Sequence, residues 1–171
     1  MRILLLALTT ISLLGVGCSS QTSQPIKIPK PVAATPSVNA EDACDSLLPL
    51  DRAKQTIGPS YTKRDSTTTM LGTILVTTCT YYDGNAASRT KPFSILTRRA
   101  SSKEEAKQIF EESKHAAYTD SQPLSGIGEE SLWSPTFKQI STLKGQTWLI
   151  VSAQNEATAT TITKDVISRI E

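Results

Sequence analysis

The chain has few of the side chains on which metal centres and acid–base catalysis depend. It contains one histidine, His115, and three cysteines among 171 residues. A zinc site takes three or four ligands from the protein, and His115 has no identifiable partner with which it could act as a general base. We therefore expect no metal site, no cofactor and no catalytic centre at this histidine.

The motifs that identify common enzyme classes are also missing. The sequence contains no Gly-x-Ser-x-Gly segment, which positions the nucleophile of many hydrolases. The segment Gly126-Ile127-Gly128 lacks the third glycine and the lysine of a phosphate-binding loop, so we interpret it as a turn. These absences favour a protein that is not an enzyme.

Net charge is low. The 18 lysines and arginines and the 16 aspartates and glutamates give a formal net charge of +2 at pH 7. Domains that bind nucleic acid are strongly basic and concentrate their lysines and arginines on one face or stripe. Because no such stripe is present, we expect no nucleic-acid partner.

Long apolar runs are lacking except at the N-terminus, where the run is short. It extends from Ile3 to Val16, follows Met1-Arg2 and ends in small residues. A transmembrane helix needs about 20 apolar residues. One positive charge, a short apolar core and a small-residue exit are instead typical of a secretory signal peptide. We predict a signal peptide over residues 1–17.

The end of this run is more specific than a general cleavage site. Gly15-Val16-Gly17-Cys18 resembles the bacterial lipobox, although that motif usually has leucine where Gly15 stands. The resemblance implies that Cys18 carries two or three acyl chains, and two or more chains anchor a protein stably to a membrane. Because Ser19 follows the anchor rather than aspartate, it also implies the outer membrane, facing the periplasm, in a bacterium with two membranes. In a bacterium with one membrane, it implies the outer face of the plasma membrane. An ordinary secreted protein and a buried N-terminal helix are the alternatives.

The composition changes after the predicted anchor. Residues 18–40 are rich in Ser, Thr, Gln and Pro and show neither helical nor strand periodicity. Prolines at this density favour extended segments that cannot form a core. We interpret residues 18–40 as a lipidated cysteine followed by a tether, and residues 41–171 as a single domain.

Periodicity and turn signals predict eight elements in that domain. The segment around 40–58 reads as a helix broken near Pro49, and the polar segment 60–69 reads as a loop. The expected order of the remaining elements is strands at 70–82 and 93–100, a helix at 101–118, a short strand after the loop 124–133, a hairpin at 137–153, and a helix at 155–170. The order α-β-β-α-β-β-β-α predicts an α+β domain with helices packed on an antiparallel sheet.

The three cysteines support the same location. If Cys18 is acylated, Cys44 and Cys79 remain as an even pair. Outside the cytoplasm such a pair is most simply a disulfide. A redox-active or metal-binding pair is the alternative, but redox pairs usually have Cys-x-x-Cys spacing.

A resemblance adds to this reading. The segments "DACDSLL", "CTYY", "SKEEAKQIF" and "LSGIGEESLW" resemble a group of small bacterial lipoproteins of unknown function, in which a cysteine of the first helix pairs with one in a strand. In outline the architecture is also similar to PsbP-like domains, including the LpqN-type lipoproteins. The resemblance implies a fold and a disulfide and does not imply a catalytic site.

We therefore predict a membrane-anchored bacterial lipoprotein that presents a non-enzymatic interaction or ligand-binding domain at the cell envelope. Its expected partners are the membrane, through the anchor, and an unidentified envelope protein or small apolar ligand. An assembly factor of an envelope complex, or an enzyme with an unrecognised site, are the alternatives. Binding sites favour loops, so the candidate binding segments are 61–69 and 124–133, and the candidate residues are Thr67, Thr68, Gly126, Gly128 and Trp133.

Overall fold

A computed structural model describes residues 40–84, 93–117 and 119–170. The predicted signal peptide, Cys18 and the predicted tether up to residue 39 lie outside the described residues. Within the described ranges the chain forms one seven-stranded antiparallel sheet with helices on both faces. This confirms the predicted α+β class.

The described elements begin with two short helices and end with a longer one. In chain order they are α1 Ala40–Leu47, α2 Leu50–Thr56, β1 Tyr61–Leu71, β2 Ile74–Asp83, β3 Phe93–Arg99, α3 Lys103–Ala117, β4 Gln122–Pro123, β5 Glu130–Ser134, β6 Gln139–Lys144, β7 Thr147–Ser152 and α4 Glu156–Ile167. The strand order in the sheet is β1-β2-β3-β7-β6-β5-β4. Among these helices, none is both long and apolar enough to cross a membrane.

One face of the sheet, which we call the disulfide face, is covered by α1, α2 and α4. Helices α1 and α2 contact β1, α1 also contacts β2, and α4 contacts β6 and β7. The buried apolar side chains of this layer are Cys44, Leu48, Ala53, Tyr61, Cys79, Tyr81, Phe93, Ile95, Trp133, Ile140, Leu149, Val151, Ala153, Ala159, Ile162 and Val166. This layer holds the larger of the two cores.

The opposite face is covered by α3, which contacts β6 and β7. Its smaller core consists of Ala100, Ala106, Phe110, Leu132, Leu143 and Trp148. The helix begins with a cap, in which the Ser102 hydroxyl accepts a hydrogen bond of 3.1 Å from the backbone N–H of Glu105. The Glu105 carboxylate in turn accepts the backbone N–H of Ser101 at 2.9 Å. Two N–H groups at the helix start are thus satisfied.

The disulfide between Cys44 and Cys79 is confirmed. It joins α1 to β2 across 35 residues of sequence, with the two Cα atoms 5.8 Å apart. Because α1 has only eight residues, it is too short to be stable by itself in water. The disulfide therefore fixes the position of α1 on the sheet.

The predicted loop at 60–69 is wrong, since β1 occupies Tyr61–Leu71 and pairs with β2 along its length. The predicted strand at 70–82 in fact contains the hairpin turn at Gly72, which has a positive φ of 63°. The physical reason is that β1 is an edge strand and buries little on either face, so polar residues suffice. Its Thr67-Thr68-Thr69 segment is β-branched, which suits a strand.

Candidate functional site

The structure separates the two segments that the sequence analysis selected. Thr67 and Thr68 lie on β1, at one edge of the sheet, while Gly126, Gly128 and Trp133 lie next to or on β5, near the other edge. Four strands stand between β1 and β5, and neighbouring strands are about 4.8 Å apart, so the two groups are roughly 24 Å from each other. They do not form one site.

Trp133 is a core residue. Its side chain is only 6% exposed and belongs to the apolar cluster of the disulfide face, where Ile140 is its cross-strand partner. The indole is therefore not presented at a surface.

The two glycines shape the turn before β5. Gly126 and Gly128 have φ values of 75° and 60°, a region that side chains other than glycine's disfavour. A Cβ at Gly128 would lie 2.6 Å from the carbonyl oxygen of Leu143, whereas one at Gly126 would meet nothing within 4 Å. Gly128 thus allows the turn to approach β6 closely, and the N–H of Glu129 donates to that carbonyl at 2.8 Å.

This difference gives a matched pair of variants. We expect Gly126→Ala to lower the free energy of unfolding by about 1 kcal/mol, through backbone strain alone. Gly128→Ala should cost about 3 kcal/mol, because overpacking against β6 adds to the strain. Urea denaturation of both proteins measures the difference, and equal losses would contradict the close approach.

A cleft on the disulfide face is a better candidate for a site. It has a volume of about 410 Å³ and lies between α1 and the residues that follow α4. Small-molecule sites commonly have volumes of roughly 300–1,000 Å³. Its lining residues are Ala43, Ser46, Leu47, Leu75, Thr77, Thr97, Arg99, Thr147, Arg169 and Ile170.

Three threonines form the floor of the cleft. Thr77 of β2 and Thr97 of β3 are cross-strand partners, and Thr147 of β7 is the partner of Arg99. All three threonines are buried, at 4–7% exposure. The Thr77 hydroxyl lies 3.3 Å from that of Thr68. The hydroxyls of Thr97 and Thr147 make no hydrogen bond to another described residue, and neither oxygen is fully buried, so both are accessible from the cleft.

The walls are mainly apolar. Ala43, Ser46 and Leu47 line the cleft from α1, because residues three and four apart share one face of a helix. The Ser46 hydroxyl donates to the Ala43 carbonyl at 2.7 Å. Leu75 and Ile170 complete the apolar lining. The cleft can therefore hold an apolar group above a floor of hydroxyls.

Two arginines give the cleft its charge. Arg99 is exposed and makes no hydrogen bond or ion pair with another described residue. Arg169 lies 3.6 Å from the carboxylate of Asp165, whose closer contact, at 2.8 Å, is with Arg52. No carboxylate belongs to the cleft lining within the described ranges. The lining thus carries two positive charges. Asp165 neutralises that of Arg169 only weakly, and no described carboxylate pairs with Arg99.

A titratable cluster of Asp45, Arg64 and the buried Tyr81 on the same face is structural. The Tyr81 hydroxyl donates to the carbonyl oxygen of Leu48 at the end of α1, and burial raises the pKa of Tyr81 to about 12. A hydrogen bond from Arg64 holds the pKa of the Asp45 carboxyl below its usual value. Tyr81 thus stays protonated at neutral pH, and the cluster joins α1 to β1 and β2.

Other chemistry lies apart from the cleft. His115 is exposed on α3, which covers the opposite face of the sheet. In the ranges that the structure describes, no group of three or more His, Cys, Asp or Glu side chains is placed to hold a metal ion.

None of the cleft residues was predicted from the sequence as a site residue, although one signal was present. The buried residues Phe93, Ile95 and Thr97 alternate along β3, and period two places Arg99 on the same face. An arginine on the same strand face as three buried residues indicates that the core ends there and that a polar site adjoins it. No family model, curated protein or solved structure significantly matches the chain.

Proposed function

We propose that this chain is a lipid-anchored bacterial envelope protein whose α+β domain binds a small ligand in the cleft between α1 and the residues that follow α4. The observation that carries the proposal is the cleft itself, with its apolar walls and the two open hydroxyls of Thr97 and Thr147. Because neither hydroxyl oxygen is fully buried, both can form hydrogen bonds with water or with a ligand in the cleft. The N-terminal signal and the lipobox at Cys18 support the location.

The chemistry of the cleft supports binding rather than catalysis. Its polar groups are serine and threonine hydroxyls and two arginines. Hydroxyl nucleophiles need an adjacent base, and no histidine, cysteine or carboxylate lines the cleft in the described part of the chain. Ligand binding without covalent change is therefore the function that these groups serve.

The proposal is tested by filling the cleft. Ala43 is partly buried on the α1 wall, and Ala157 is exposed on α4 outside the cleft. Each is replaced by tryptophan in a separate variant of the full-length chain. All proteins carry Cys18→Ser, so that no acyl group or detergent competes with the probes for the cleft. The probes are decanoate, decyl maltoside and decyltrimethylammonium below their micellar concentrations. Calorimetry gives the affinities, and amide NMR shifts locate the binding.

We expect at least one probe to shift the amide signals of cleft residues. Ala43→Trp should weaken that binding by about tenfold or more, because the indole occupies much of the cleft. Ala157→Trp should leave the binding unchanged. If no probe shifts signals around the cleft, or if both variants bind equally well, ligand binding at this place is wrong.

A further inference from the structure

The charge of the cleft limits which ligands it can take. We infer that the ligand is an amphiphile with an oxyanionic head, such as a carboxylate or a phosphate monoester, and a short apolar body. This inference rests on the proposed function, since it names the class of ligand for the same cleft.

Two guanidinium groups and a nearby hydroxyl are available to the head. Arg99 and Thr147 are direct cross-strand partners, so both belong to one end of the floor, and Arg169 lines the cleft from the segment after α4. A guanidinium presents paired N–H donors that match the oxygens of a carboxylate or phosphate. The open hydroxyl of Thr147 is a further donor.

Arg169 is available to a ligand because its contact with Asp165 is long. The Asp165 side chain is 10% exposed; its Oδ2 lies 2.8 Å from Arg52, and its Oδ1 lies 3.6 Å from Arg169. The longer contact is beyond ordinary hydrogen-bond length. A ligand oxyanion can therefore bind Arg169 without first breaking a short ion pair.

The apolar body contacts the remaining lining. Leu47 and Ile170 are partly buried against the main core, and Leu75 is half-buried on β2. Covering apolar surface contributes about 25 cal/mol per Å². An anion without an apolar part cannot use this contribution, so inorganic phosphate should bind more weakly than decyl phosphate.

The experiment adds charge variants of the protein and two further probes, decyl phosphate and inorganic phosphate, to the same panel. Arg99→Gln and Arg169→Gln should each weaken decanoate and decyl phosphate binding by about tenfold, the effect of losing one charge-assisted hydrogen bond. Decyl maltoside, which carries no charge, should lose much less affinity than decanoate in these variants. Lys107→Gln, which removes one exposed positive charge from α3, is the matched control and should behave as the parent chain.

Asp165→Asn gives an effect of opposite sign. Without the competing carboxylate, Arg169 should bind the ligand head more strongly, and the affinity for decanoate should rise severalfold. A thermal melt of each variant confirms that the fold is retained. If the affinity for decanoate rises in Asp165→Asn and falls in Arg169→Gln, Arg169 contacts the head of the ligand. A general loss of structure would lower the affinity in both variants.

The outcomes separate this inference from the proposed function. If decyl maltoside or decyltrimethylammonium binds in the cleft and decanoate does not, the cleft is a binding site and the anionic ligand is wrong. The same holds if decanoate binds but folded Arg99→Gln and Arg169→Gln retain full affinity. If inorganic phosphate binds as tightly as decyl phosphate, the inference that the ligand has an apolar body is wrong. If no probe reaches the cleft, both proposals fail.

Discussion

Replacing Cys44 with serine is expected to lower the free energy of unfolding by about 4 kcal/mol, because the disulfide closes a loop of 35 residues in the unfolded chain. This is the largest stability loss that we expect from one substitution. The loss acts on α1 in particular, since this helix of eight residues is held on the sheet by the Cys44–Cys79 bond. Urea denaturation under non-reducing conditions measures it.

Two related variants test whether the loss comes from the bond between Cys44 and Cys79. Cys79→Ser and the double variant should cost about as much as Cys44→Ser, since the same bond is lost in all three. Ala43, Ser46 and Leu47 lie on the same helix, so the single variants should also lose ligand binding at the cleft. Additive losses, or two free thiols in the oxidised parent protein, would contradict a shared bond.

Replacing Cys18 with serine is expected to release the protein completely from the membrane fraction. In the proposed lipoprotein, each buried methylene of an acyl chain contributes about 0.8 kcal/mol to membrane binding, so that two chains hold the protein almost permanently. The serine variant has no thiol to acylate. Metabolic labelling with a fatty-acid analogue, followed by membrane sedimentation, measures both acylation and location.

Ser20→Ala is the matched control, because it changes a neighbouring residue and leaves the cysteine in place. It should be labelled and sediment with membranes as the parent chain does. Equal labelling of Cys18→Ser, or its continued sedimentation with membranes, would exclude the anchor at this residue. The ligand-binding measurements on the cleft variants do not depend on whether Cys18 is acylated, since all of those variants carry Cys18→Ser.

Several elements could be predicted because their signals are local. Asn155 caps α4, where its side chain accepts the N–H of Thr158 at 2.9 Å, and the same interaction would form in an isolated segment. Gly145, with a φ of 56°, forms the hairpin between β6 and β7 for a similar reason. The cysteine pairing could also be predicted, because an exported chain in which Cys18 is acylated, as proposed, leaves Cys44 and Cys79 as its remaining cysteines.

The sequence by itself determined the α+β class and predicted the disulfide, since the first depends on local periodicity and the second on a count of cysteines. Only the tertiary structure showed β1 to be a strand, because a polar edge strand is stabilised by its pairing with β2 rather than by its own composition. The cleft also depends on tertiary structure. Its Thr77, Thr97 and Thr147 come together because β7 pairs with β3 rather than only with its chain neighbour β6. Strand order arises from packing across the whole sheet, so no short segment carries the information that places these hydroxyls beside Arg99 and Arg169.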